Sequence, residues 1–197
     1  SPLGLRYLCL PKYISMKFTE QNLKGVFVIE PQVFGDSRGY FMESYKKELF
    51  EKYIGVVDFI QDNESRSSYG VVRGLHFQRG EWSQSKLVRV TQGRVYDVVV
   101  DLRRTSPTFG QYVGIELSDE NKKQLFVPRG FAHGFAVLSE TAQFCYKVDN
   151  VYAPHEEVTL FYNDPHVAVQ WPIKAEEMLL SEKDKKGLGF EEIEVFE

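Results

Sequence analysis

Residues 85–110 read SKLVRVTQGRVYDVVVDLRRTSPTFG. Two strand-like runs lie here, Ser85 to Thr91 and Arg94 to Leu102. Thr91-Gln92-Gly93 is the turn between them, and Ser106-Pro107 is the next break. The second run is apolar except for two carboxylates, Asp97 and Asp101, which alternate onto one face of the strand. The same texture continues outward. Short runs rich in β-branched and aromatic residues occur at 25–29, 40–44, 71–78, 110–117, 123–127, 135–139, 141–151 and 158–162, with turn residues such as Asp36-Ser37-Arg38-Gly39 and Ser118-Asp119-Glu120-Asn121 between them. Many short strands at this spacing predict a mainly β protein, a sandwich or barrel. Helix is expected only over 47–53 and, near the C-terminus, over 174–186, where Gly187 would suit the C-cap.

The 197 residues suggest a single domain. A chain of this size buries roughly 70% of its unfolded surface and needs no disulfide or metal to fold. Fifteen Phe and eleven Tyr against three Met favour strands with aromatic pockets. The net charge of −4 argues against a general nucleic-acid surface, whose affinity comes from clustered Lys and Arg. Cys9 and Cys145 form no metal-ligand spacing and no disulfide framework, so a reducing cytoplasm is the expected compartment. No apolar run approaches the length of a membrane span. Ser1 to Ser15 lack an initiator Met, and Arg6, Pro11 and Lys12 interrupt any signal-peptide core. They read as an added leader or N-terminal extension ahead of a domain at 16–197; an ordinary N-terminal strand is the alternative.

The densest polar groups are Arg73-Gly74-Leu75-His76-Phe77-Gln78, then Gln84-Ser85-Lys86, then Val127-Pro128-Arg129-Gly130-Phe131-Ala132-His133-Gly134. Strict alternation would put Arg73, Leu75 and Phe77 on one face and Gly74, His76 and Gln78 on the other. Asp101 reads as a cap for the turn at 102–104. Asp97 is flanked by apolar residues on both sides, and a carboxylate buried that way needs a partner; His133 is a candidate. Taken alone, His76 would ordinarily be a structural group, Tyr146 a core tyrosine, and Lys183-Asp184 solvated surface.

The ordered set DSRGYFMES (36–44), QDNESRS (61–67), RGLHFQ (73–78), residues 85–110, VPRGFAHGFAVLSE (127–140), YKVDNVYAP (146–154), YNDP (162–165) and LSEKD (180–184) resembles the dTDP-4-dehydrorhamnose 3,5-epimerases, a family of the cupin superfamily. The resemblance implies a cupin-type jelly roll. It implies His76 as general base, Asp184 as its carboxylate partner and Tyr146 as opposing general acid. Arg73, Lys86, Gln61 and Asn63 become substrate contacts, as do Arg38, Glu43, His133, Glu157 and Lys183. Tyr152 becomes a ring to stack on the nucleotide base, and Asp97 a support behind the site. It further implies a nucleoside-diphosphate sugar as substrate, no cofactor, and a homodimer for which the N-terminal strands are natural exchange elements.

The chemistry is coherent. In a 4-keto hexose only the C3 and C5 protons are acidified by the carbonyl, so inversion needs a base on one ring face and an acid on the other. A neutral His suits the first role, a carboxylate orients it, and a Tyr can deliver a proton from the far side. Lys86 or Arg73 would stabilise the enolate oxygen. Arg38, Arg73 or Lys183 would take the diphosphate.

Three rivals remain. A metal-dependent cupin would use a His-x-His pair, where this chain has His76-Phe77-Gln78, and a Glu seven residues before Gly93, where it has Lys86; an ammonium cannot coordinate a cation. A sugar-binding cupin would need no acid and base. A single-centre epimerase or keto-isomerase would use the same His and Tyr.

Overall fold

The computed structural model describes residues 16–197; the reading of 1–15 as a leader or extension lies outside the described residues, as does Cys9. In chain order the strands are β1 (Met16–Glu20), β2 (Phe27–Pro31), β3 (Val33–Asp36) and β4 (Gly39–Met42), then helix α1 (Lys47–Tyr53). Next come β5 (Gln61–Ser68), β6 (Val72–Gln78), β7 (Lys86–Gln92), β8 (Arg94–Asp101) and β9 (Tyr112–Ser118). They are followed by β10 (Gln124–Val127), β11 (Phe131–Val137), β12 (Thr141–Val148), β13 (Glu157–Thr159) and helix α2 (Glu182–Lys185). A six-stranded sheet in the order β1-β2-β10-β7-β12-β5 faces a five-stranded sheet in the order β13-β6-β11-β8-β9. This is the expected mainly β jelly roll. β3 and β4 form a separate two-stranded hairpin.

The core follows from strand alternation. Val88, Val90, Val95, Val99, Leu125, Phe135 and Phe144 point between the sheets. A second cluster lies behind the five-stranded sheet, where Leu75, Phe77, Val98 and Val100 pack under Val167, Val169, Phe190 and Ile193. β8 is therefore buried on both faces, which explains its unbroken apolar run. Each such fully buried Val or Leu contributes about 1.5–3 kcal/mol.

α1 forms over the expected residues and buries Phe50 against Met16, Ile29, Leu87 and Phe126. The expected C-terminal helix forms only at its end, as the single turn of α2, and not over the whole of 174–186. A one-turn 3-10 helix at Ala175–Glu177 precedes it. Between them Leu179 pairs like a strand residue: its N–H donates to the Gly70 carbonyl at 2.8 Å and its carbonyl accepts from Val72 N–H at 3.0 Å. That pairing demands extended backbone and divides the helical pattern. Lys186, not Gly187, is the C-cap. Gly187 lies where a Cβ would come within 2.7 Å of Phe161 Cα. β5 was not anticipated, because its residues are all polar; it is the edge strand beside β12.

Candidate active site

The two sheets supply the site from opposite sides. From the five-stranded sheet come Arg73 and His76 on β6 and His133 on β11; from the six-stranded sheet come Lys86 on β7 and Tyr146 on β12. All five line one recess of about 160 Å³ together with Ser65, Gly134, Phe135 and Phe144. A second recess of about 110 Å³ shares His76, Lys86 and Tyr146 and adds Gln78, Tyr152 and Glu157. A third, about 440 Å³, shares Arg73 and His76 and adds Lys183 and Asp184. The third by itself falls within the range of roughly 300–1,000 Å³ usual for small-molecule sites.

Strict alternation on β6 would have separated Arg73 from His76. The register shows otherwise: His133 pairs with His76 while Phe135 pairs with Arg73, so β6 carries one extra residue in this interval. Such a bulge re-aims a side chain, and here it turns both residues into the interior while Leu75 and Phe77 join the outer cluster. Two glycines permit it. A Cβ on Gly74, whose φ is +116°, would meet Gly134 Cα at 2.7 Å, and one on Gly134 would meet the Arg73 carbonyl at 2.4 Å.

His76 Nε2 donates to Asp184 Oδ1 at 2.6 Å. Burial alone would raise the Asp184 pKa, but hydrogen bonds from His76, Ser181 and the Gly74 N–H outweigh it and hold the carboxyl below its ordinary value. Asp184 thus stays ionised and serves as the acceptor for the Nε2 proton. Burial pushes the Tyr146 phenol up; nearby Arg73 opposes this and Glu157 adds to it, so Tyr146 keeps a proton to give. Burial pulls the Lys86 ammonium down to about 8, against the attraction of Glu157 and Asp97. Asp97 is fully buried and its pKa is raised by that burial, with His133 and Lys86 opposing. His133 Nε2 sits 2.9 and 3.0 Å from its two carboxyl oxygens. Asp101 receives hydrogen bonds from Arg103, Ser106 and Thr108, which ties the turn after β8.

Around the mouth, Glu157 Oε2 accepts from the Tyr152 hydroxyl at 2.7 Å and from the Lys183 ammonium. Gln61 and Asn63 are hydrogen-bonded to each other on β5, with Asn63 directly across from Tyr146. Arg38 is not among the residues lining these recesses; it lies exposed at the β3–β4 turn, paired with Asp36. Glu43, just beyond β4, does not line them either and has one buried carboxyl oxygen with no hydrogen-bond partner. Sequence reasoning missed Ser65, which lines the inner recess, and Ser67, which accepts from Arg73 Nε at 3.1 Å. The signal was present: Gln61, Asn63, Ser65 and Ser67 alternate, as they must on one face of a strand. It also missed Ser181, which caps the turn carrying Asp184.

Gln78 is committed to backbone. Its amide donates to the carbonyls of Trp82 and Val151 and accepts from Ala153 N–H. Among the described residues no group of three His, Cys, Asp or Glu is disposed to hold a metal ion.

A histidine and a tyrosine on opposite walls of a recess that two cations also line form a set of groups able to move protons to and from a bound anion. Known proteins share this arrangement's sequence and fold. Residues 20–192 match the profile of the dTDP-4-dehydrorhamnose 3,5-epimerase family. The Pseudomonas aeruginosa dTDP-4-dehydrorhamnose 3,5-epimerase is 52% identical over 182 residues, which cover 92% of this chain and 99% of that protein. The crystal structure of the enzyme of that name from Elizabethkingia anophelis superposes with a TM-score of 0.86 at 52% identity, covering 89% of this chain and 97% of that one. The Legionella pneumophila dTDP-6-deoxy-D-glucose-3,5-epimerase, solved in complex with dTDP-4-keto-L-rhamnose, gives a TM-score of 0.88 at 45% identity, covering 91% and 95%. The chain belongs to the dTDP-4-dehydrorhamnose 3,5-epimerase family and is an isomerase of the jelly-roll cupin type.

Proposed function

We propose that this chain inverts C3 and C5 of dTDP-4-dehydro-6-deoxyglucose to give dTDP-4-dehydrorhamnose through an enolate. The observation that carries this reading is the placement of His76 and Tyr146 on opposite sheets of one recess. His76, oriented by Asp184, removes the proton next to the carbonyl. Tyr146 returns a proton on the far face. Lys86 and Arg73 hold the developing oxyanion and the diphosphate, with His133 fixed by Asp97 beside them. Tyr152, Glu157 and Lys183 form the outer rim for the nucleotide, and Gln61 and Asn63 add polar contacts from β5. The test supplies dTDP-4-dehydro-6-deoxyglucose and reads product stereochemistry by NMR. Inversion at both centres is expected; inversion at one centre would give the narrower epimerase, and no turnover would leave a binding protein.

We infer a homodimer. Arg38 and Glu43 sit on or beside a hairpin whose Val33, Tyr40 and Phe41 are exposed, outside the recesses of their own chain. Seated on a second copy, that hairpin would bring them to its site. A solution mass of one chain would contradict this. Among the described residues no helix is long and apolar enough to cross a membrane, and we place the enzyme with its sugar-nucleotide substrate in the cytoplasm; recovery from an oxidising compartment on fractionation would contradict it.

A further inference from the structure

α2, which carries Asp184, is a single turn of four residues. A helix that short cannot hold itself in place. The residue before it, Ser181, makes two bonds to the same neighbour. Its Oγ accepts from Asp184 N–H at 3.1 Å as the N-cap, and its hydroxyl proton goes to Asp184 Oδ2 at 2.7 Å. The other carboxyl oxygen, Oδ1, takes His76 at 2.6 Å. A hydroxyl has one proton to donate and lone pairs to accept with, so both bonds coexist. The Gly74 N–H also reaches this carboxylate, but Ser181 is the side chain that shares it with His76, and the group cannot turn about its Cβ–Cγ bond without breaking a charge-assisted hydrogen bond at one oxygen or the other. The resemblance gives roles to Lys183 and Asp184 in this stretch and none to Ser181.

We propose that Ser181 is the positioning residue of the His76–Asp184 pair: its hydroxyl keeps Oδ1 turned to His76, so that the proton stays on Nε2 and Nδ1 takes the substrate proton. This rests on His76 being the base. A purely structural cap would act differently. Lys183 lies on the same turn and pairs with Glu157 at the rim, so a loosened turn would disturb substrate binding as much as proton removal.

The test measures kcat, KM and substrate proton exchange in D2O for Ser181→Ala and Ser181→Thr. Hydrogen bonds to charged groups are worth enough that Ser181→Ala should lower kcat and exchange together by about tenfold or more, with KM within about twofold. Ser181→Thr, which keeps the hydroxyl, should recover most of the loss. If Ser181→Ala does not fold, Ser181→Gly gives the same reading, since Gly is tolerated at an N-cap. A kcat within about twofold of the parent overturns the proposal, as does a rise in KM matching the fall in kcat/KM, or a loss that Thr does not restore. His76→Asn separates the premise from the proposal. If that variant still exchanges, the base assignment falls; if it does not exchange while Ser181→Ala does so at full rate, only the role of Ser181 falls.

Discussion

Lys86→Met should make the protein more stable and much less active. The ammonium is pulled from its ordinary 10.5 to about 8 by burial, which corresponds to a cost of about 3 kcal/mol borne by the charged form at neutral pH. The sign follows from linkage. A Lys with a lowered folded pKa destabilises the fold fully below pH 8, and the penalty is relieved as pH rises from 8 to 10.5. Met fills similar space without a charge. The anions nearby keep other partners: Asp97 has His133, and Glu157 has Lys183 and Tyr152. A gain of up to about 3 kcal/mol is therefore expected at pH 7, read as a rise in Tm of roughly 2–4 °C per kcal/mol for a chain of this size. Losing one preorganised group on the enolate oxygen costs about 3 kcal/mol of barrier, or roughly a hundredfold in kcat, with KM changed little. The parent should also lose kcat/KM above about pH 8 as Lys86 deprotonates; the variant should lack that limb. An unchanged kcat with raised KM would move Lys86 to ground-state binding, and a lowered Tm would refute the burial cost.

Exhaustive chelation should leave turnover intact, because Lys86 lines the recess and Gln78 is spent on backbone; loss restored by one divalent ion would return the metal-cupin reading. Gly74→Ala should cost about 3 kcal/mol or more, since it combines an unfavourable φ with a backbone clash against Gly134. Thermal unfolding measures it, and a Tm within a degree of the parent would contradict the bulge argument.

Much of the fold was legible because strands announce themselves by β-branched and aromatic runs, and α1 by its own pattern. β5 was not, because an edge strand with one open side tolerates an all-polar sequence. The C-terminal helix is shorter than its composition suggests, because that composition carries no sign of the Leu179 pairing with residues 70–72. At the site, residue identities were readable from the family resemblance, while their geometry was not. Period-2 alternation divided Arg73 from His76, and only the pairing with β11 reveals the bulge that reunites them. Asp184 lies 108 residues from His76 in sequence, so nothing local could join them. Arg38 and Glu43 line none of the three recesses described, which the motif match alone does not foretell.

The most direct test of opposed acid and base is NMR of substrate recovered from D2O with two variants. His76→Asn should abolish both inversion and exchange of the C3 and C5 protons. Tyr146→Phe should keep the enolate-forming base, so His76 hands deuterium back to the original face: the substrate gains deuterium with its stereochemistry unchanged. Clean inversion by Tyr146→Phe at near the parent rate, or exchange persisting in His76→Asn, would contradict the account.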